Sequence, residues 1–284
     1  MTKPCPGGDT GRIYDIAFVI LTWNSEKYID DCLKSLQSFR KLRVCICVVD
    51  NGSTDDTHRI LQSYSSVPSL CMQVVLLDGN YGTTVSRNKG IRLVRDKAEY
   101  LCILDSDTIV NEAAFLQMIA TLRQDQRNGI VGPVLQSLDG SIQQSGRNLP
   151  TLTVKLLKGM PVRFLQERGE RLEKIAISPD RATRVGYLMS ACWLLPMGVV
   201  RDLGYLDEEI FYAPEDVEYC LRAWSKGYRA LLEPRAAIVH AWQRLSKKKL
   251  FSRHNYEHIK GLCYLFRKYG YCFSREKFER LMNA

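Results

Sequence analysis

The feature that most constrains this fold is a rhythm of short apolar runs, each closed by a polar cluster. Ile16–Leu21 (IAFVIL) is unbroken and partly β-branched, the pattern of a strand covered on both faces, and it stops at Thr22-Trp23-Asn24-Ser25. Val44–Val49 (VCICVV) stops at Asp50-Asn51-Gly52-Ser53, Val74–Leu77 is followed by Gly79-Asn80-Tyr81-Gly82, and Tyr100–Leu104 stops at Asp105-Ser106-Asp107. Between these runs the apolar period becomes helical: Tyr28, Ile29, Cys32, Leu33 and Leu36, then Ile60, Leu61 and Tyr64, then a segment reaching Val94, then Ala114, Phe115, Met118, Ile119 and Leu122. Ser53 and Asp56 have capping-box spacing before the second helix. The alternation predicts an α/β fold with a Rossmann-like, mainly parallel sheet flanked by helices. Ligands of such sheets bind beyond the carboxyl ends of the strands, so the polar ends are expected to converge on one site.

The second half is less regular. Ile130–Leu135 and Tyr187–Leu195 read as strands, and residues 139–182 as a loop-rich insertion carrying several basic side chains. Pro214–Lys226 reads as a helix closed by Gly227 at the C′ position. Ala230–Val239 reads as a strand broken by Pro234 and ending at His240, and Tyr256–Tyr269 as a helix. Residues 1–13 read as a polar tail.

Composition narrows the function. With 45% hydrophobic and 25% charged residues the chain is globular. Its most apolar stretch, Val185–Val200, is interrupted by Gly186, Pro196 and Gly198 and falls short of the ~20 residues of a membrane span. The start of the chain does not read as a secretion signal. Cys45, Cys47, Cys102, Cys192 and Cys220 lie inside apolar runs and no C-x-x-C pair occurs, so the thiols are expected to be reduced, buried and cytoplasmic. The formal charge is +9, and residues 244–284, with eleven Lys or Arg against three Glu, hold +8 of it. That concentration points to an anionic partner for the extension: phospholipid, nucleic acid or substrate phosphate.

Asp105 and Asp107, two carboxylates at i and i+2 after a buried strand, suit a divalent ion shared with phosphate oxygens. Asp50, in a glycine-containing turn with Asn51 and Ser53, suits the edge of a base or a ribose hydroxyl, with Thr22, Trp23 and Asn24 at the neighbouring strand end. An ordinary capped turn would use the same residues. Glu215 and Asp216 open a helix, where one acid is explained by the helix dipole and a second could serve as a general base. His240 becomes a metal ligand only if it meets Asp107 in space. His254 and His258 are four apart and lack a third ligand. There is no G-x-G-x-x-G after a strand, no G-x-x-x-x-G-K-[ST], no H-E-x-x-H and no G-x-S-x-G, which disfavours dinucleotide dehydrogenase, P-loop, zinc-protease and serine-hydrolase chemistry.

The ordered set resembles glycosyltransferase family 2. It comprises Val19–Asn24, Val48–Asp55, Asn80-Tyr81-Gly82 with Arg87-Asn88-Lys89-Gly90, and Leu104–Asp107. Later members are Ser190-Ala191-Cys192, Gly204–Glu208, Tyr212–Arg222, Gly227-Tyr228 and Val239-His240. The later pieces are similar to the bacterial rhamnosyltransferase-like branch, although that branch often reads Asn-Pro-Asp where this chain has Asp105-Ser106-Asp107. The resemblance implies a GT-A fold over residues 14–243, with 244–284 as a basic, aromatic-rich helical extension. It implies a nucleotide-sugar donor (dTDP- or UDP-sugar), Mg²⁺ or Mn²⁺, and inverting transfer of rhamnose or another hexose to a glycan or lipid-linked acceptor.

In that scheme Asp50 binds the base or its ribose, with Thr22, Trp23, Asn24, Asn51, Ser53, Asn80, Gly82, Arg87 and Asn88 lining the donor. Asp105 sits near ribose and metal, and Asp107 ligates the metal with help from His240. Arg244 and Ser246 grip phosphate, and Asp216 deprotonates the acceptor, supported by Glu215. The extension either lies on the anionic inner face of a cell membrane or caps the fold by packing its aromatics. Other classes to weigh are a sugar-1-phosphate nucleotidyltransferase, which needs a Gly-rich basic loop that Thr22–Ser25 does not supply, and a nucleotide- or nucleic-acid-binding module, whose phosphates an acidic cluster without metal would repel.

Overall fold

The computed structural model describes residues 14–65, 67, 70–241 and 253–283. In chain order the first half runs β1 (Tyr14–Thr22), α1 (Ile29–Gln37), β2 (Val44–Asp50), α2 (Thr57–Ser65), β3 (Met72–Leu76), α3 (Thr83–Val94), β4 (Ala98–Asp105), β5 (Thr108–Ile109), α4 (Glu112–Arg123) and β6 (Asn128–Gln136). The second half runs β7 (Ile142–Gln143), β8 (Gly146–Arg147), α5 (Leu152–Gly159), α6 (Arg163–Glu173), β9 (Thr183–Arg184), β10 (Tyr187–Leu188), β11 (Cys192–Pro196), α7 (Met197–Leu203), α8 (Glu215–Ser225), β12 (Arg229–His240), α9 (Arg253–Tyr269) and α10 (Glu276–Asn283).

The main sheet is ordered β3-β2-β1-β4-β11-β6-β12-β5. β1, β2, β3 and β4 are parallel, β12 is parallel to β6, and β11 is antiparallel to both β4 and β6. The alternation within IAFVIL explains the two layers. Ile16, Phe18 and Ile20 face an apolar cluster with α1, α2 and α4, while Ala17 and Val19 face one built with α3, α7 and α8. Leu265, Tyr271 and Phe278 of the C-terminal part belong to that second cluster.

Three sequence expectations change. Residues 139–182 are not mainly loop. They contain α5, where Thr151 caps the first turn by accepting from Val154 N–H, and α6, whose glycine at 169 lies close against Lys158 and Leu157. Tyr187–Leu195 is not one strand: β10 pairs with β8 in a separate small sheet, and residues 189–191 turn before β11. Pro234 does not break β12. The register against β6 shifts between Glu233 and Ala237, and this irregularity absorbs the missing proline donor.

Candidate active site

The register of the parallel strands brings the polar ends together: Thr22 lies opposite Asp50, and Leu21 opposite Asp105. β12 reaches the same end, where His240 pairs with Thr108 and Ala241 N–H donates to Asp107 O at 2.8 Å. A cleft of about 330 Å³ opens there, lined by Asp105, Asp107, His240, Arg87, Glu215 and Asp216, with Trp23 and Tyr212 among its other walls.

Asp105, Asp107 and His240 place one ligand atom each within 4.8 Å of one another. His240 Nε2 lies 3.4 Å from Asp107 Oδ1, while its Nδ1 is 2.8 Å from Gln143 Oε1. Gln143 Nε2 donates back to the His240 carbonyl at 2.8 Å, so one amide fixes both the ring and its backbone. Burial pulls the His240 pKa down, but the Asp107 carboxylate outweighs it and the net shift is upward. Two carboxylates and an imidazole form a donor set that suits Mg²⁺ or Mn²⁺ with room for phosphate oxygens.

Arg87, 2% exposed, connects this cluster to the acidic start of α8. Its Nη2 donates to Asp105 Oδ1 at 2.5 Å and its Nη1 to Glu215 Oε1 at 3.3 Å. Ser190 Oγ also donates to Glu215 Oε1, at 2.9 Å. Burial raises the pKa of Glu215, the charge of Asp216 raises it further, and Arg87 opposes both. Asp216 is likewise raised by burial, against the Val217 N–H it accepts and the charges of Lys155, Arg147 and Arg87. A carboxylate held at a raised pKa beside a cleft is suited to collecting a proton.

The other expected donor-side residues among those described do not line the cleft. Asp50 is 0% exposed, and its two oxygens are taken by Thr22 Oγ1, Ser53 N–H, Ser53 Oγ and His58 Nε2 at 2.6–2.9 Å. Its carboxylate therefore ties β1 to the turn after β2 and does not meet the cleft. Ser53 spends its hydroxyl there, so the expected capping box does not form, and Asp55 accepts from Thr57 N–H instead. Asn24 accepts from Thr54 N–H, and Asn51 holds Asn80, Tyr81 N–H and Ser86. Asn88 clamps Leu206 and Glu208. Gly82 is where α3 meets the loop before α8, since a Cβ there would lie 2.2 Å from Phe211 O. Arg244 and Ser246 lie outside the described residues, as does the side chain of His254.

Sequence reasoning missed Gln143, which sits in the segment read as loop, and the bridging role of Arg87, which only the fold reveals. Among the described residues no cysteine forms a disulfide, and the five named above are buried. The described part of the basic extension, residues 253–283, packs as a cap. Tyr271 meets Phe266 and Phe278 edge-on at 5.2 and 5.4 Å. Lys268 bonds Glu218 at 2.8 Å and also pairs with Asp207. At Gly261, a Cβ would lie 2.3 Å from Ala213 O, so α9 rests directly on the loop that leads into Glu215. Among the described residues no helix is long and apolar enough to cross a membrane.

Residues 17–204 match the model of the family described as glycosyl transferase family 2. The N-acetylglucosaminyl-diphospho-decaprenol L-rhamnosyltransferase of Mycobacterium tuberculosis is 26% identical over 237 residues, 78% of this chain and 74% of that protein. The poly-β-1,6-N-acetyl-D-glucosamine synthase of Staphylococcus aureus is 25% identical over 236 residues, 81% of this chain and 51% of that protein. A crystal structure of GalNAc-T7 with UDP, GalNAc and Mn²⁺ superposes with a TM-score of 0.66 at 16% identity, over 90% of this chain and 48% of that one. The present chain thus spans about half the length of the last two, and the structural likeness is one of GT-A fold.

Proposed function

The chain belongs to glycosyl transferase family 2 and is a glycosyltransferase acting on nucleotide sugars; from that premise we propose that it transfers a hexose, with rhamnose the first candidate, from a UDP- or dTDP-sugar to a glycan or lipid-linked hydroxyl, by a single inverting displacement. The observation that carries this reading is that Asp107, Asp105 and His240 line the same cleft as Glu215 and Asp216. Mn²⁺ or Mg²⁺ held by Asp105, Asp107 and His240 would supply charge neutralisation on the departing nucleoside diphosphate. Asp216 takes the acceptor proton as that oxygen attacks the anomeric carbon. Glu215, held by Arg87 and Ser190, keeps the first turn of α8 in place. Trp23, 42% exposed at the rim, meets the base, while Asp50 braces the turn behind it. The rhamnosyl candidate and the lipid-linked acceptor draw on the mycobacterial relative, whose name specifies both. The cap formed by α9 and α10 leaves Tyr256 and Phe273 exposed, and contact with the inner face of a membrane remains part of the proposal.

The test is a donor-hydrolysis panel of UDP-, dTDP- and GDP-sugars with and without Mn²⁺ or Mg²⁺. Hydrolysis of a UDP- or dTDP-sugar only with the ion supports the proposal. Equal turnover in chelator would refute metal dependence, and no turnover of any donor would refute the donor assignment.

A further inference from the structure

Beside Asp216, on elements the reaction scheme above does not use, three cations surround one buried carboxylate. Glu173, 1% exposed at the end of α6, receives Arg147 Nη1 at 3.3 Å, Lys155 Nζ at 3.5 Å and Lys158 Nζ at 2.6 Å. The three cationic side chains are only 22–25% exposed. One carboxylate does not balance three half-buried cations, and the next acidic charge that Lys155 and Arg147 feel is that of Asp216 itself. His258 of α9 adds no charge: burial and the nearby Lys155 hold its pKa down at about 4. An unbalanced positive cluster in a partly dry site costs free energy unless an anion completes it.

We propose that Arg147, Lys155 and Lys158 form an anion subsite next to the catalytic base, and that it takes a phosphate or diphosphate group carried by the acceptor. The inference rests on the assignment of Asp216 as base and names the acceptor class: a hydroxyl compound with phosphate close to the reacting sugar. Lys155 and Lys158 are one helical turn apart on α5, so both ammonium groups reach the same side, and Arg147 approaches from β8. Arginine and lysine together offer a fork and point charges, the usual means of holding phosphate oxygens. An apolar ledge lies on the same helical hairpin. Leu156, Met160, Val162 and Phe164 are 45–61% exposed where α5 gives way to α6, which provides a place for a hydrocarbon chain attached to that phosphate.

The experiment uses the full chain in EDTA with saturating UDP, so that the metal and donor sites do not report. Binding of orthophosphate and of dodecyl phosphate below its micelle concentration is followed by calorimetry. The proposal expects dodecyl phosphate binding that weakens about tenfold or more in Lys155→Met/Lys158→Met and returns in Lys155→Arg/Lys158→Arg. Because the double methionine variant leaves Glu173 with Arg147 alone, a quadruple variant that adds Arg147→Met and Glu173→Gln provides a second, charge-balanced protein and should lose binding equally. Orthophosphate binding with the same dependence supports a subsite for the phosphate alone, and binding of dodecyl phosphate only supports a lipid-borne phosphate. Absence of binding by the wild type, or equal binding in variants that melt like it, overturns the proposal and leaves the cluster as a brace between α5 and α6. Donor hydrolysis by the wild type, measured separately, tells failure of this inference from failure of the transferase mechanism.

Discussion

Gly82→Ala probes the joint between the two halves of the site. The backbone there has φ +83°, and an added methyl would sit 2.2 Å from the Phe211 carbonyl oxygen and 2.7 Å from its Cδ2. The same carbonyl accepts from Thr83 N–H at 2.7 Å, so the loop cannot retreat without losing that bond. With ψ at 175° the backbone sits in a region adopted essentially by glycine, where a side chain costs about 1–3 kcal/mol. Forcing packed groups apart costs about 1–3 kcal/mol more. The variant should therefore lose about 2–6 kcal/mol, read as a lower urea midpoint with unchanged m. The loop that must yield runs into Glu215 and Asp216, so transfer should fall about 100-fold, as expected for a misplaced base. Gly140→Ala is the control: φ is +80° but nothing lies within 4 Å of the new methyl, so it pays the backbone cost alone and transfers normally. Equal destabilisation of the two variants, or full transfer by Gly82→Ala, would refute the claim that the contact with Phe211 sets the position of the base.

Asp216→Asn should keep donor binding and lose transfer. It should also change the dependence of stability on pH. Burial lifts the folded pKa of Asp216 above its unfolded value of about 4, so the stability tied to its protonated form is full below that pH and lost as pH rises through the raised value. The amide has no such loss, so the variant should melt above the wild type at pH 8 and close to it at pH 4; matching melts at pH 8 would remove burial as the cause. For the same reason, wild-type transfer should fall on acidification at a higher pH than an exposed carboxylate would give, and a limb at about pH 4 would argue against Asp216 as base. Calorimetric titration with Mn²⁺ should show no binding for Asp107→Ala and about 10–100-fold weaker binding for Gln143→Leu, whereas unchanged affinity in the latter would separate His240 from the ion. Phe278→Ala should cost about 3–5 kcal/mol in a urea melt, against less than about 0.5 kcal/mol for the exposed Phe273→Ala; similar losses would mean that α10 does not complete the core.

Much of this was legible before the coordinates because two periodicities carry it. The period-2 split of Ile16–Leu21 and the helical spacing from Tyr28 to Leu36 each depend on neighbours only a few residues away, so the α/β layering could be read locally. The acids of the cleft were also readable, since Asp105, Asp107, Glu215 and Asp216 all close or open an element. Residues whose role depends on a partner far along the chain were not. Arg87 means nothing until Asp105 and Glu215 stand on either side of it, and Gln143 nothing until β7 lies against β12 through β6. Asp50 shows a different limit of local reading. A carboxylate at a strand end has the pattern of a ligand group, but Thr22 and His58 consume its oxygens, a fact that no spacing encodes. The helices at 152–173 were hidden because Gly159, Pro161 and many charges imitate loop composition.

Leu265, Tyr271 and Phe278 share an apolar cluster with Ala17 and Val19. During synthesis, therefore, the first strand waits for partners that leave the ribosome only when translation has passed position 278. Until then a sheet of mainly parallel strands must survive with one side unfinished, a state in which such chains are slow to close and prone to stick to one another. Shortening the chain before α10 should show itself first as aggregation in the cell, well before any question of catalysis arises.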